Sequence, residues 1–315
     1  MERVAVAEIK AGKKITSSFV IKNKRAIYFR EKPGYFLSLL VGDKTGHIEA
    51  KIWDKAEEHN KNLSVGDLIA VNGEVKEFNG NLQLTIHTLK ICADADFDPG
   101  DFLPSSPLEA GEMLAELRGL ADSVQEDNLK KLLNSFFNDK QWLKMFVQAP
   151  AAKINHQAYL GGLLEHTLNV AKSAAAVSNL YPRVDRDLLI TGAILHDVGK
   201  IVEYRYDRVI DFTDQGRLLG HIMLGASMVE KKIDGLEGFP DKLKMKILHI
   251  ITSHHGQYEW QSPKRPKFLE AAIVHQLDLL DATIDSFTRG VEESQDSDGG
   301  WSPYNRTLER HIYRG

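Results

Sequence analysis

Two periodicities divide the chain. Between residues 12 and 92, apolar and polar positions alternate in short runs, the period of a half-buried strand. Phe19-Val20-Ile21 and Ala26-Ile27-Tyr28-Phe29 are β-prone runs on either side of a basic cluster, Lys22-Asn23-Lys24-Arg25. A third run, residues 35–41, is closed by Gly42-Asp43-Lys44-Thr45-Gly46, and the chain returns through residues 47–54, where Ile48, Ala50 and Ile52 alternate with polar neighbours. Asp-Lys-Thr-Gly between two such runs predicts a hairpin. Val65-Gly66-Asp67 precedes another strand over 68–75, and Phe78-Asn79-Gly80-Asn81 turns the chain into 82–86. About five strands in this space predict a small Greek-key barrel. Residues 93–107, acidic and rich in Pro, Gly and Ser, predict a linker. From Leu108 the period becomes helical. Helices are expected from Leu108-Glu109-Ala110, over 127–137, from Gly161-Gly162 to about Leu180, from the Asp185 cap to His196-Asp197, from Gly220-His221, over 243–254 and over 268–287.

The expected organisation is a barrel domain over 1–92, the linker over 93–107, a helical domain over 108–290 and a tail over 291–315. Trp301, Tyr304 and Tyr313 in that tail would cap a site or dock a neighbouring subunit, so a homo-oligomer is compatible with the sequence. The 315 residues are 43% hydrophobic and 27% charged, enough to bury two cores. Apolar stretches fall far short of the roughly 20 residues that span a bilayer. The first residues lack the apolar run of a signal peptide. The single cysteine, Cys92, excludes an intrachain disulfide and reads as a small core residue. A cytoplasmic protein with no membrane partner is expected. Charge is unevenly spread: residues 1–92 hold 15 Lys and Arg against 11 Asp and Glu, and the remainder 25 against 33. A mildly basic barrel beside an acidic remainder fits a polyanion-binding module joined to a carboxylate-bearing metal domain.

The candidate chemistry centres on His196-Asp197-Val198-Gly199-Lys200 at the end of an apolar helix. A neutral imidazole beside a carboxylate able to bridge two cations suits Mn, Fe, Co, Ni or Zn. A lone His-Asp pair is weak evidence. Here it stands among His166, His221, His254-His255 and Asp278, each in a segment that reads as helical. Lys200 is placed to bind a phosphoryl oxygen, and Asp197 and Lys200 are the candidate catalytic residues. No Gly-rich nucleotide loop, nucleophile elbow or thiol–imidazole pair competes.

The strand region resembles nucleic-acid-binding OB-fold domains, through Asp43 to Gly46, Trp53-Asp54 and Gly66-Asp67. Such domains hold single strands with a basic groove and exposed aromatics on which bases stack. The candidates are Lys22, Lys24, Arg25, Phe36, Lys51, Trp53 and Phe78; core packing is the alternative for the aromatics, and a solvated surface for the lysines. The histidine and aspartate series resembles the HD superfamily of metal-dependent phosphohydrolases. That resemblance assigns one metal to His166, His196, Asp197 and Asp278, and a second to Asp197 as a bridge with His221, His254 and His255. Neighbours on a helix point about 100° apart, so His254 and His255 share a site only if the helix unwinds there, as Gly256 would allow. His275 and Asp281, each one helical turn from Asp278, would support the ligands.

Together, the two domains resemble the YhaM-type 3′→5′ exoribonuclease family. The stretches that carry this are Pro150-Ala151-Ala152-Lys153, Tyr159-Leu160-Gly161-Gly162, Leu163-Leu164-Glu165-His166-Thr167, Gly220-His221-Ile222, Ser253-His254-His255-Gly256 and Trp301-Ser302-Pro303-Tyr304-Asn305. The resemblance implies an N-terminal all-β OB-fold barrel followed by an all-α HD domain. It implies two divalent ions, manganese favoured and Mg also usable, and hydrolysis of single-stranded RNA or DNA from the 3′ end to nucleoside 5′-monophosphates. His156 and Tyr159 would contact the terminal nucleotide. One departure is that Gln157 stands after His156, where some relatives carry a second histidine. Two alternatives stay open: an HD-type nucleotide phosphohydrolase or cyclic-dinucleotide phosphodiesterase with a regulatory OB domain, and a non-catalytic single-strand-binding factor. Against the cyclic-dinucleotide reading, Gln257-Tyr258-Glu259-Trp260 replaces the Gly-Tyr-Pro expected after the histidine pair. A pure binder has no need of seven coordinating groups.

Overall fold

The computed structural model describes residues 4–78, 80–93, 98–153, 157–292, 299–305 and 308–315. The chain forms two compact units: Met1–Ser105 with Tyr206–Ile210, and Ser106–Arg205 with Asp211–Gly315. Among the described residues no helix is long and apolar enough to cross a membrane.

In the first unit, β1 (Lys14–Tyr28), β2 (Tyr35–Asp43), β3 (Gly46–Ile52), β4 (Leu68–Phe78) and β5 (Asn81–Ile91) close a barrel in the order β1-β2-β3-β5-β4. All pairs are antiparallel except β3 with β5. This is the OB-fold. The helix α1 (Ala56–Asn62) lies between β3 and β4 in the chain and adds Ala56 and the following Leu63 to the core. The alternating positions meet inside as Phe19, Ile21, Leu37, Leu39, Ala50 and Leu84, all essentially inaccessible. The predicted hairpin forms because Asp43 Oδ1 accepts from the Thr45 amide (2.7 Å) and hydroxyl (2.6 Å). A short helix, α2 (Pro99–Phe102), brings Phe102 against Val20 and Leu68. The partly buried Cys92 packs on the same cluster.

The second unit is helical: α3 (Ala110–Asp122), α4 (Asp127–Phe137), α5 (Lys140–Gln148), α6 (Gly162–Leu180), α7 (Arg186–Leu195), α8 (Lys200–Glu203), α9 (Asp214–Asp234), α10 (Asp241–Ser253) and α11 (Leu269–Glu292). A two-residue ladder, β6 (Tyr204–Arg205) with β7 (Asp211–Phe212), separates α8 from α9. The apolar helix α7 is buried along its whole length from Leu188. A helix without a polar face belongs at the centre of a bundle, and α7 packs on α6, α10 and α11. Asp185 caps it, its side chain accepting from the Leu188 amide at 3.1 Å. One helix, α9, differs from expectation. A turn over 214–219 precedes the predicted start of α9, and Gly220 (φ 70°, ψ 158°) breaks the helix just before His221. Beyond α11 the tail folds back, with Trp301 paired to Tyr313 and Ile312 buried against Gly290.

Candidate metal centre and nucleic-acid face

Helix α7 ends at Leu195, and His196 and Asp197 follow in the tight turn before α8, wholly buried. Two sets of potential ligands converge on this turn: His166 (α6), His196, Asp197 and Asp278 (α11), and the trio His221 (α9), His254 and His255. Asp197 faces both. Its Oδ2 lies 3.4 Å from Nε2 of both His166 and His196. Its Oδ1 lies 3.5 Å from His221 Nε2 and 3.4 Å from His254 Nε2. Asp278 Oδ1 completes the first set, 3.2 Å from His166 Nε2. The adjacent pair His254-His255 can share a site because α10 ends at Ser253 and Gly256 turns back with φ 74°. A side chain at Gly256 would collide with the His275 ring. His275 Nδ1 donates to the His254 carbonyl at 2.7 Å and so holds this turn in place.

Each candidate ligand histidine is aimed by its other nitrogen. Nδ1 bonds to Asp281 in His166 (2.7 Å), to the Ala193 carbonyl in His196 (2.8 Å), and to Glu203 in His221 (3.1 Å). In His254 and His255 it bonds to the carbonyls of Ile251 (2.7 Å) and Trp260 (2.8 Å). A donor role at Nδ1 directs the Nε2 lone pair toward a cation. Both Asp197 oxygens and Nε2 of His221 and His254 are buried with no well-formed hydrogen bond among the described residues. Buried polar atoms are normally satisfied. These four atoms, of ligand type N and O, converge from two sides and fit divalent metal ions, with Lys200 the neighbouring cation at Asp197 Oδ2.

Electrostatics divide the two sets. Burial opposes charge on His166 and His196, but the carboxylates of Asp197 and Asp278 outweigh it, and His196 is pushed up to about 9. A cation at that set replaces the protons that these pairs otherwise hold. Burial, then the neighbouring imidazoles His254 and His221, pushes His255 down to about 3, so this ring presents a neutral nitrogen. Lys200 is buried, with Nζ 2.5 Å from Asp197 Oδ2. Burial disfavours its charge, but Asp197 and Asp278 raise its pKa and keep it cationic.

Among the other expected residues, Tyr159 donates its hydroxyl to Glu165 Oε2 (3.0 Å), which also accepts from Ser106 (2.6 Å). His156 lies outside the described residues. Glu203, the partner of His221, carries no sequence signal, because α9 returns to it only after the β6–β7 reversal.

On the barrel, Arg25 pairs with Ser38 and Ser38 with Lys51, so the three share one outward row across β1, β2 and β3. The next row carries Phe36, and Trp53 follows beyond the end of β3. Phe36 and Trp53 lie 4.4 Å apart, and Phe29 stacks on Trp53 at 6.3 Å. Lys51 Nζ stands 5.4 Å from the Phe36 and Phe78 rings and 5.8 Å from Trp53. Trp53 and Phe78 are 46% and 59% exposed, so these rings are not core. A groove of about 730 Å³ adjoins them, lined by His47, Glu49, Lys51, Phe78, Leu82 and Gln83 among others. The structure thus brings Arg25, Phe36, Lys51, Trp53 and Phe78 to one face and adds Phe29. Lys22 and Lys24 do not join them. Lys22 sits at a bulge in β1 and donates to the carbonyls of Asp43 and Gly46 (both 3.2 Å). Lys24, on the inward parity, donates to the carbonyls of Asn60 and Leu63 at the end of α1.

Fold and site define the class: an HD-domain protein carrying an OB-fold nucleic-acid-binding barrel. Residues 163–283 match the family model of the HD domain, and residues 20–91 match that of the OB-fold nucleic acid binding domain. The chain belongs to the YhaM 3′-5′ exoribonuclease family. It is 32% identical over 290 residues to the 3'-5' exoribonuclease YhaM of Geobacillus sp. (strain WCH70), an overlap of 91% of this chain and 88% of the relative. Similar solved structures include the second OB-fold domain of replication protein A from Methanococcus maripaludis (18% identity, 30% of this chain and 97% of that one, TM-score 0.25). Another is the HD domain of the L. monocytogenes phosphodiesterase PgpH (19% identity, 49% of this chain and 80% of that one, TM-score 0.31).

Proposed function

We propose that the protein is a metal-dependent 3′→5′ exoribonuclease that shortens single-stranded RNA, releasing nucleoside 5′-monophosphates with two divalent ions, manganese favoured. The observation that carries the reading is Asp197, whose two oxygens serve two separate sets of histidines. His166, His196, Asp197 and Asp278 would hold one ion, and Asp197, His221, His254 and His255 the other. When bound, such ions neutralise phosphodiester charge and lower the pKa of a water that attacks phosphorus.

The chain's own residues supply the rest. Asp197, ionised by its contacts with Lys200 and the histidines, fixes the spacing of the two ligand sets. Lys200 forms an ion pair with Asp197 and turns N–H groups to a phosphoryl oxygen, where its charge balances the extra negative charge of the transition state. Asp281 and Glu203 hold the Nδ1 protons of His166 and His221. On the barrel face, stacking on Phe36, Trp53 and Phe78 and phosphate contacts from Arg25 and Lys51 would hold a strand without reading its sequence. Tethering the strand in this way raises the effective concentration of its end at the metal site.

The test is a time course on 5′-labelled single-stranded RNA with Mn, beside a copy blocked at its 3′ end. A descending ladder that the block abolishes supports the proposal. Intact RNA under every divalent metal sinks it and turns attention to nucleotide phosphates and cyclic dinucleotides.

A further inference from the structure

Gln157 is 2% exposed and adopts a left-handed backbone, φ 48°. That conformation costs a residue with a Cβ about 1 kcal/mol. Its Oε1 is buried with no partner among the described residues, a second cost. Set against these is one side-chain hydrogen bond: Nε2 donates to Asp281 Oδ2 at 2.9 Å. The same oxygen accepts from His166 Nδ1 at 2.7 Å. Asp281 is thus held between an amide on one side and a ligand histidine on the other. Asn169 also bonds to it, and these contacts together override burial and keep it ionised.

The backbone of Gln157 adjoins α6, the helix that carries His166. Its carbonyl accepts from the amides of Ala151 (3.2 Å) and Tyr159 (2.9 Å). It also lies so close to Gly162 that a Cβ there would overlap it. Gly162 opens α6, one turn before His166. The turn at 157 therefore touches the metal-one helix twice, by main chain at Gly162 and by side chain through Asp281.

We infer that Gln157 is a positioning residue for the first metal: its amide N–H pins Asp281, which in turn fixes the tautomer and direction of His166. The inference rests on the two-metal reading above and concerns only the set containing His166. An unpinned Asp281 can rotate about its Cα–Cβ bond, and His166 then loses the partner that keeps its proton on Nδ1.

Glycine at 157 separates positioning from structure, because it removes the amide while relieving the left-handed backbone. The experiment is calorimetric titration of Mn into metal-stripped wild type, Gln157→Gly and Gln157→His, with thermal unfolding of each. The expected result is two Mn sites in wild type. In Gln157→Gly one site is weakened about tenfold while Tm is unchanged or higher. Gln157→His, which restores an N–H donor, recovers much of the loss. Wild-type affinity at both sites of Gln157→Gly overturns the inference, as does a fall in Tm that parallels the lost affinity without rescue by histidine. Two-site binding in wild type beside either result leaves the metal reading standing. No Mn uptake by wild type overturns both.

Discussion

An imidazole ligates in one direction only when its second nitrogen is occupied, and the five candidate ligand histidines here meet that condition with five different partners. Three of those partners are backbone carbonyls that no side-chain substitution removes; Asp281 and Glu203 are side chains. Glu203→Ala should therefore free the His221 ring and weaken metal binding or activity about 10–100-fold. Manganese titration of the variant checks this, and unchanged affinity would exclude the role. The candidate ligands stand in the sequence as a series of His and Asp in order, and the fold brings them together. Asp281 was legible as well, one turn from Asp278. Glu203 was not, because its meeting with His221 depends on a chain reversal that no local pattern encodes. Gln157 stood out only as a departure, and its contact with Asp281 spans 124 positions.

Strand parity explains the next level. Lys22, Lys24 and Arg25 look equivalent as a basic cluster, yet only Arg25 shares the outward row with Lys51. A bulge at Lys22 and the inward parity of Lys24 direct the other two amines to backbone carbonyls. Alternation made the strands visible, but the position of the bulge was set by pairing with β2. A second element with its own electrostatics is the β6–β7 ladder, where Asp211 is bonded by Lys153 (2.7 Å) and lies 3.3 Å from Arg205 and Arg217. Burial alone would raise the pKa of Asp211; Lys153 chiefly reverses this and takes it down to about 2 from its ordinary 3.8. A depressed carboxylate stabilises the fold above its unfolded pKa and loses that contribution as pH falls through the folded value. Asp211→Asn should thus cost about 1 kcal/mol at neutral pH, allowing for the exposed cations. The difference from wild type should shrink between about pH 4 and pH 2. Urea unfolding of both proteins across that range measures it; a constant difference would point to packing instead.

The whole molecule assigns holding and cutting to separate cores. The barrel buries Phe19, Leu37 and Leu84 around its own centre, and the helical unit is built about α7. A lesion on the barrel face should consequently appear in substrate capture and spare the chemical step. Trp53→Ala is expected to raise KM for long RNA by about 5–100-fold, the worth of one stacked base, with kcat nearly unchanged. Steady-state kinetics with Mn held saturating checks the split, and an equal fall in kcat would place Trp53 elsewhere in the reaction. The change of period after residue 92 and the uneven charge are the signals in the sequence for two parts. They do not convey that residues 206–210 belong to the barrel unit.

The placement of the indoles has an optical consequence. Trp142 is 5% exposed and stacked on Phe146, so its emission should be blue-shifted and indifferent to ligands. Trp53 and Trp260 are 46% and 50% exposed, one among the aromatic rings of the barrel and the other bonded through its carbonyl to His255. A base stacked on Trp53 should quench the first, and paramagnetic Mn held at His255 would quench the second. Two of the four indoles are therefore placed as intrinsic reporters, Trp53 for the strand and Trp260 for the metal.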